Sequence, residues 1–262
     1  MLIEDHIVQQ MVLNIKKDHP RMGTRKVYHL IKPDLKKANI KMGRDALFDL
    51  IAANNMQVIK RRRKHITTNS NHVFKRYPNL IKGIRPYGPN QIWVSDITYI
   101  RSGQEFLYLF LITDMYSKKV LGYRLARSLE SSHAVNSLQD AIRNGCKPVL
   151  GLIHHSDRGI QYCSNDYIKL LNNHNIKISM TEKGDPLENP VAERVNGILK
   201  DEYLFQYQSL TTLQLEKSIK KYNNKRPHLS CDMKTPDVAH LGSGVLKRRW
   251  KNYYKKTVKL EV

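Results

Sequence analysis

Apolar residues recur at helical spacing near the start of the chain and at strand spacing through its middle. Ile7, Val8, Met11, Val12 and Ile15 fall on one side of a 3.6-residue repeat, and Asp18-His19-Pro20-Arg21-Met22-Gly23 breaks it. Thr24 offers a hydroxyl cap for a second helix whose Val27, Leu30 and Ile31 share a face, and Pro33 is expected to end it. A third helix is expected from about Arg44 to Asn54, with Leu47, Leu50 and Ile51 inward and Asn54-Asn55 supplying a left-handed exit. Three short helices with tight connections predict a small helical, helix-turn-helix-like domain over residues 1–60, whose last helix is placed to enter a major groove. A plain helical bundle is the alternative, since the outward face mixes Arg44 and Phe48 with Asp45 and Asp49.

From Asn90 to about Lys200 the period changes. Ile92–Ile100, Phe106–Thr113 and Val120–Ala126 read as three strands, the last with Gly122 as a weak point. Ser131–Arg143 reads as a helix, Leu152–His155 as a strand, Ser164–Asn172 as a helix and Ile176–Met180 as a fifth strand. Three antiparallel strands followed by strand–helix alternation predict an α/β core, a mixed sheet flanked by helices, over residues 89–205. A basic linker, residues 61–88, precedes it, and residues 206–262 supply a helix, Leu213–Tyr222, and a basic tail. Trp250, Tyr253 and Tyr254 interleave with the cations of that tail; they are either stacking platforms for bases or the apolar side of a terminal element.

Charge then narrows the partner. The 262 residues carry 45 Lys and Arg against 23 acids, a formal net charge of +22. Such an excess fits a polyanion, because each neutralised phosphate releases counterions. Hydrophobic residues at 40% argue for a folded chain and against disorder. Cys146, Cys163 and Cys231 are odd in number and unpaired in spacing, which points to a reducing compartment and away from a disulfide framework. Met1-Leu2-Ile3-Glu4-Asp5-His6 lacks a signal architecture and no apolar run approaches a bilayer span, so a cytoplasmic protein with no membrane partner is expected.

Three acids sit where an unpaired charge is costly. Asp96 interrupts the apolar and β-branched run Ile92–Ile100; Asp157 ends the strand that carries His154 and His155; Glu193 falls in the first turn of a helix opened by Asn189-Pro190. Thirty-five residues separate the last two. Converging carboxylates repel unless a cation lies between them, and hard oxygen donors suit Mg²⁺. A pair of such ions roughly 3.5–4 Å apart clamps the attacking and leaving oxygens of a phosphoryl transfer. Each residue has a plainer reading: Asp96 as a strand-edge acid, Asp157 as the turn former before Arg158-Gly159, Glu193 as a complement to the helix dipole. Asp114 is a rival, better suited to capping a turn between strands. His155 shares a face with Asp157 by alternation and reads as a support for that residue or a phosphate contact, and zinc is disfavoured without a Cys pair. The cations expected to meet DNA are Arg44, the linker run Arg61, Arg62, Arg63 and Lys64, then Arg158, Arg194, Lys200, Arg226 and the tail residues Lys247, Arg248 and Arg249; Asn196 joins them.

With these residues in place, the chain resembles the DDE transposases with a retroviral-integrase-like core, in particular the second-frame (OrfB) products of the insertion sequence three family of bacterial mobile elements. The resemblance rests on His19-Pro-Arg-Met-Gly23, Pro89-Asn-Gln-Ile-Trp-Val-Ser-Asp96-Ile-Thr-Tyr99, His155-Ser-Asp157-Arg-Gly159-Ile-Gln161-Tyr162, Glu193-Arg-Val-Asn-Gly197 with Lys200 and Glu202, and Tyr222-Asn with Arg226-Pro-His228. Leu187-Glu188-Asn189-Pro190 departs from the Tyr-Asp-Asn-Ala of many relatives, placing the acid one methylene further out. The family implies a ribonuclease-H-like sheet and two divalent ions, Mg²⁺ with Mn²⁺ as substitute, held by Asp96, Asp157 and Glu193. It implies cleavage at element ends, then attack by the freed 3′-hydroxyl on a second strand. It further implies a homo-oligomer on terminal-repeat and target DNA in the bacterial cytoplasm, at the nucleoid, with the first-frame (OrfA) protein as partner or fusion. A catalytically silent DNA-binding regulator and an RNA-cleaving ribonuclease H remain the competing readings.

Overall fold

The computed structural model describes residues 3–59, 75–145, 151–182, 188–247 and 249. Three helices come first: α1 (Ile3–Asp18), α2 (Thr24–Lys37) and α3 (Arg44–Ala53). Val8, Val12, Met22, Val27, Ile31, Leu35, Leu47 and Ile51 close a core of their own. Asn55, at φ 53°, takes the left-handed exit expected after α3. Two local expectations fail. Thr24 is the first helical residue, with extended Gly23 at the cap, and α2 runs through Pro33 to Lys37. Burial of Leu35 beyond the proline, in the shared core, offsets the hydrogen bond that the proline removes.

The middle of the chain forms a five-stranded mixed sheet in the order β3-β2-β1-β4-β5, from β1 (Ile92–Ser102), β2 (Glu105–Asp114), β3 (Val120–Ala126), β4 (Ile153–Ser156) and β5 (Lys177–Met180). β1–β2 and β2–β3 are antiparallel; β1–β4 and β4–β5 are parallel. β1 is therefore the central strand, held by ladders on both sides. Alternation along β2 sends Phe110 and Ile112 to one face and Leu107, Leu109 and Leu111 to the other. The first face packs on α4 (Ser131–Asn144), the short α5 (Ile160–Cys163) and α6 (Asn165–Asn173). The second packs on α7 (Pro190–Ile198), the turns that follow it and α8 (Thr212–Lys225). A five-residue helix α9 (Pro236–His240) follows.

Gly122 is the point where α4 lies on the sheet. A Cβ there would meet the Ser137 carbonyl oxygen at 2.0 Å and the Ala141 nitrogen at 2.8 Å, so glycine is needed for the close approach. α7 continues into a π-helical turn, Leu199–Tyr203, that the hydrophobic pattern does not announce.

The helical module docks on the core through a polar junction. Arg226, 1% exposed, donates through Nε and Nη2 to the two carboxylate oxygens of Glu202 at 2.8 and 2.7 Å. Lys26 of α2 stands 3.7 Å from the same carboxylate, and His19 Nδ1 lies 2.8 Å from the Tyr203 hydroxyl. Burial raises the Glu202 carboxyl, but hydrogen bonds and charge from Arg226 outweigh it and hold it below its ordinary value. Burial pushes Lys26 down to about 8 and His19 down to about 4, so His19 is neutral at physiological pH. Removing one partner of such a pair strands the other charge. Arg226→Met is expected to lower unfolding free energy by about 3–5 kcal/mol, and the double variant Arg226→Met/Glu202→Leu by much less, both read from urea denaturation.

Candidate active site

Sheet geometry brings two of the three singled-out acids together. The parallel register pairs Trp93 with His154 and Val94 with His155. Continuing that offset past the end of β4 sets Asp157 abreast of Asp96, on strands about 4.8 Å apart. Asp96 shares the face of Val94, Thr98 and Ile100, and that is the face covered by α7.

Three side chains tie α7 and its continuation to β1. Asn189 Nδ2 donates to the Ser95 carbonyl at 2.8 Å, Asn196 Nδ2 to Asp96 Oδ2 at 2.7 Å, and Lys200 Nζ to Thr98 Oγ1 at 3.1 Å. The expected side-chain cap from Asn189 is absent; its amide holds the strand instead. Asn196 and Lys200, expected on a DNA strand, here support the site from within the protein. Nothing in the spacing of Asn196 from Glu193 distinguishes a DNA contact from a carboxylate support, since both need a polar residue on the same helix.

Burial raises the Asp96 carboxyl to about 7; the negative charge of Asp157 adds to it, the Asn196 hydrogen bond opposes it, and Glu193 contributes further in the upward direction. Buried Tyr162 is pushed well up by the same burial and then by Asp157, with Asp96 adding to it, so it lies near both. Asp157 Oδ1 accepts from the Gly159 amide at 3.0 Å, so the turn-forming role is real and engages one oxygen of the carboxylate. Glu193 occupies the first turn of α7, as expected, and is solvent-exposed. Among the described residues no three His, Cys, Asp or Glu side chains are already gathered closely enough to hold a metal ion. The charge of Asp157 acts on Asp96 more strongly than that of Glu193.

The histidines pack inside the core. His154 Nε2 lies 2.6 Å from Ser95 Oγ and 2.9 Å from the Tyr167 hydroxyl, and burial holds it down at about 3. His155 Nδ1 lies 2.8 Å from Ser179 Oγ, fully buried, with burial pressing it down to about 4. A neutral buried ring meets no phosphate, so His155 is not the DNA contact its position suggested. Arg226 is not one either, because its guanidinium is consumed by Glu202 inside the junction. Asp114 is the turn cap expected: Oδ1 accepts from the Ser117 amide and hydroxyl, each at 2.7 Å, and Oδ2 from the Asn90 amide at 2.7 Å.

Of the remaining cations, Arg194 and Lys247 are exposed and Arg158 is half-buried. Arg44 pairs with its neighbour Asp45 at 2.8 Å, and Arg249 pairs with Asp232. Arg61, Arg62, Arg63, Lys64 and Arg248 lie outside the described residues, as do Trp250, Tyr253 and Tyr254.

A five-stranded mixed sheet with helices on both faces and acids at the centre of β1 and the end of β4 defines a ribonuclease-H-like core of the integrase class. Integrase core domain models match residues 86–186 and 174–236. A chain in the cryoEM structure of the simian T-cell lymphotropic virus intasome in complex with PP2A regulatory subunit B56 gamma shares the fold. It has a TM-score of 0.54 at 20% identity, over 88% of this chain and 79% of that one. An uncharacterized 31 kDa protein of insertion element IS600 from Shigella sonnei is 36% identical over 202 residues, 76% of this chain and 73% of that protein. The transposase for insertion sequence element IS629, also from Shigella sonnei, is 26% identical over 227 residues, 85% and 75% of the two chains. Transposase InsF for insertion sequence IS3A from Escherichia coli K12 is 39% identical over 115 residues, 44% of this chain and 40% of that one. The chain belongs to the insertion sequence three family of DDE transposases. No helix among the described residues is long and apolar enough to cross a membrane.

The raised Asp96 carboxyl has a sign in stability. Its folded value, about 7, exceeds the unfolded value near 3.8, so the folded state holds the proton longer and loses stability as pH rises between the two. Asp96→Asn keeps the oxygen that accepts from Asn196 and carries no charge. In metal-free buffer its melting temperature is expected to match the wild type near pH 4. The variant should rise above the wild type progressively, levelling off beyond about pH 7 at a gain on the order of 10 °C. A constant difference across that range in calorimetric scans would contradict the assignment.

Proposed function

We propose that Asp96, Asp157 and Glu193 are the catalytic residues of this chain, a polynucleotidyl transferase of the transposase/integrase type, and that they hold two divalent ions, Mg²⁺ or Mn²⁺, against a DNA phosphodiester. The single observation that carries this reading is the convergence of negative charge from Asp157 and Glu193 on the buried Asp96 carboxyl. A protein does not bring ionised carboxylates together without loss unless a cation is the intended companion. The donor set also fits. It is oxygen only, as hard ions require, and the Asn196 Oδ1 atom beside Asp96 is buried without a hydrogen-bond partner among the described residues. A glutamate turns about three side-chain bonds, so Glu193 would come to the ions by rotating its side chain inward from α7.

When bound, the ions would supply charge for the attacking and leaving oxygens of an in-line displacement. The protein's own part is placement. The β1 and β4 ladders fix the two aspartates, and the Asn189, Asn196 and Lys200 bonds fix α7, so Glu193 approaches from a defined direction. Asn196 holds Asp96 Oδ2 at 2.7 Å and so restrains the carboxylate that would hold a metal ion. Exposed Arg194 and half-buried Arg158 flank the acids in sequence and would neutralise neighbouring phosphates. In this reading water first cleaves a strand at the element's end, and the freed 3′-hydroxyl then attacks a target strand. Joining two ends to one target calls for two or more copies of the chain; the viral structure that shares the fold is itself an intasome. The first-frame protein of the element would be the partner that adds recognition of the terminal repeats.

Asp96→Asn, Asp157→Asn and Glu193→Gln are each expected to lower cleavage and strand joining on a labelled element-end duplex at least about a thousandfold in Mg²⁺, with duplex affinity within a few-fold of wild type. Joining that survives the triple replacement would place the chemistry elsewhere. Full duplex binding with no metal-dependent nicking of supercoiled plasmid by the wild-type chain would favour the silent regulator.

A further inference from the structure

Between α1 of the helical module and α8 of the core lies a recess of about 270 Å³ that the carboxylate site does not use. Its walls gather Lys17, Lys217, Lys220, Lys221 and Lys225 around a single acid, Asp18. Asp18 pairs with Lys221 at 3.0 Å and Lys225 at 2.6 Å, while Lys217 and Lys220 form no ion pair among the described residues. Five ammonium groups and one carboxylate leave the recess with a net of four positive charges. Like charges crowded into one concavity repel, and a solvated helix face has no need to confront a lysine on a second helix.

The lysines also stand on a fixed frame. On α8 the opposite face, Leu215, Ile219 and Tyr222, is buried in the core. Asn223 exchanges two hydrogen bonds of 3.0 Å with the backbone of Val120, the Tyr222 hydroxyl donates to the Lys118 carbonyl at 2.8 Å, and Thr211 with Gln214 closes a capping box at the start. From Lys217 to Lys225 the helix rises about 12 Å, long enough to follow roughly three phosphates of one strand at about 3.4 Å of duplex axis each. Tyr203, in the wall of the recess, lies on the continuation of α7, about 15 Å beyond Glu193 at helical rise.

We propose that this lysine-lined recess is a binding site for the phosphate backbone of duplex DNA, gripping it a few base pairs from the strand that enters the carboxylate site. The proposal rests on the DNA-processing reading above and adds a site of positioning to it. It spans two modules, so a duplex seated there ties the helical module and the core to one register along the DNA.

The test is acylation of lysines by a succinimidyl ester on the full chain, with and without a duplex several helical turns long, read by mass spectrometry. Lys217 and Lys220 should be shielded several-fold by the duplex, and Lys169 on α6 and exposed Lys177 on β5 should not. Lys217→Gln/Lys220→Gln should lower the slope of log affinity against log salt by about 2 and weaken binding on the order of tenfold or more, where Lys169→Gln/Lys177→Gln does neither. A duplex that binds and is cleaved while Lys217 and Lys220 react at unchanged rates overturns the recess and leaves the DNA-processing reading intact. A wild-type chain that binds no duplex at all overturns both.

Discussion

The structure is organised around a repulsion. Burial disfavours the charge of Asp96 on the central strand; Asp157 at the end of its neighbour and Glu193 on the covering helix add negative charge to it, and the Asp96 carboxyl is displaced upward to about 7 as a result. The surroundings hold that unfavourable arrangement in place. The central strand is hydrogen-bonded on both sides, and α7 is fastened to it at Asn189, Asn196 and Lys200, so the acids cannot drift apart by moving a backbone. Local instability of this kind is the ordinary mark of a site built for a charged reactant.

A second layer of polar structure connects that site to the rest of the molecule. The helix that carries Glu193 runs on into Glu202, which is gripped by Arg226 from the C-terminal segment and approached by Lys26 from the helical module. Three separate stretches of chain thus meet at one carboxylate. Ion pairs of this sort add little net stability over an apolar replacement, yet losing one partner strands the other's charge. The choice of arginine follows, since its planar fork satisfies both oxygens at once.

The periodicity of the chain locates all five strands and the helices α3, α4 and α6 within a residue or two, because each sets its apolar positions against a core; α2 and α8 run on past their expected ends. Asp96 stands out in the sequence for a related reason: charge amid apolar and β-branched neighbours has few structural uses. Departures come where tertiary contacts outweigh local rules. Pro33 does not stop α2, because Leu35 beyond it is needed in the module's core. Gly122 looks like a flaw in a strand and is a seat for a helix. His155 and Arg226 carry the composition of phosphate ligands and are buried by partners, Ser179 and Glu202, that lie 24 residues away in each case. Local pattern holds no record of such pairings. The lysines of α8, read singly, are the wet side of an amphipathic helix; only the opposing α1 makes them a recess.

The π-helical turn at Leu199–Tyr203 carries a further implication. One residue more than a regular helix needs is accommodated there, which advances everything downstream by about 100° around the axis. Glu193 sits before that step and Glu202 within it. The extra residue therefore acts as a phase shifter for what lies beyond Tyr203: Glu193 and Glu202, nine residues apart, already face opposite sides of a regular helix, and the step resets the direction in which the chain leaves toward α8.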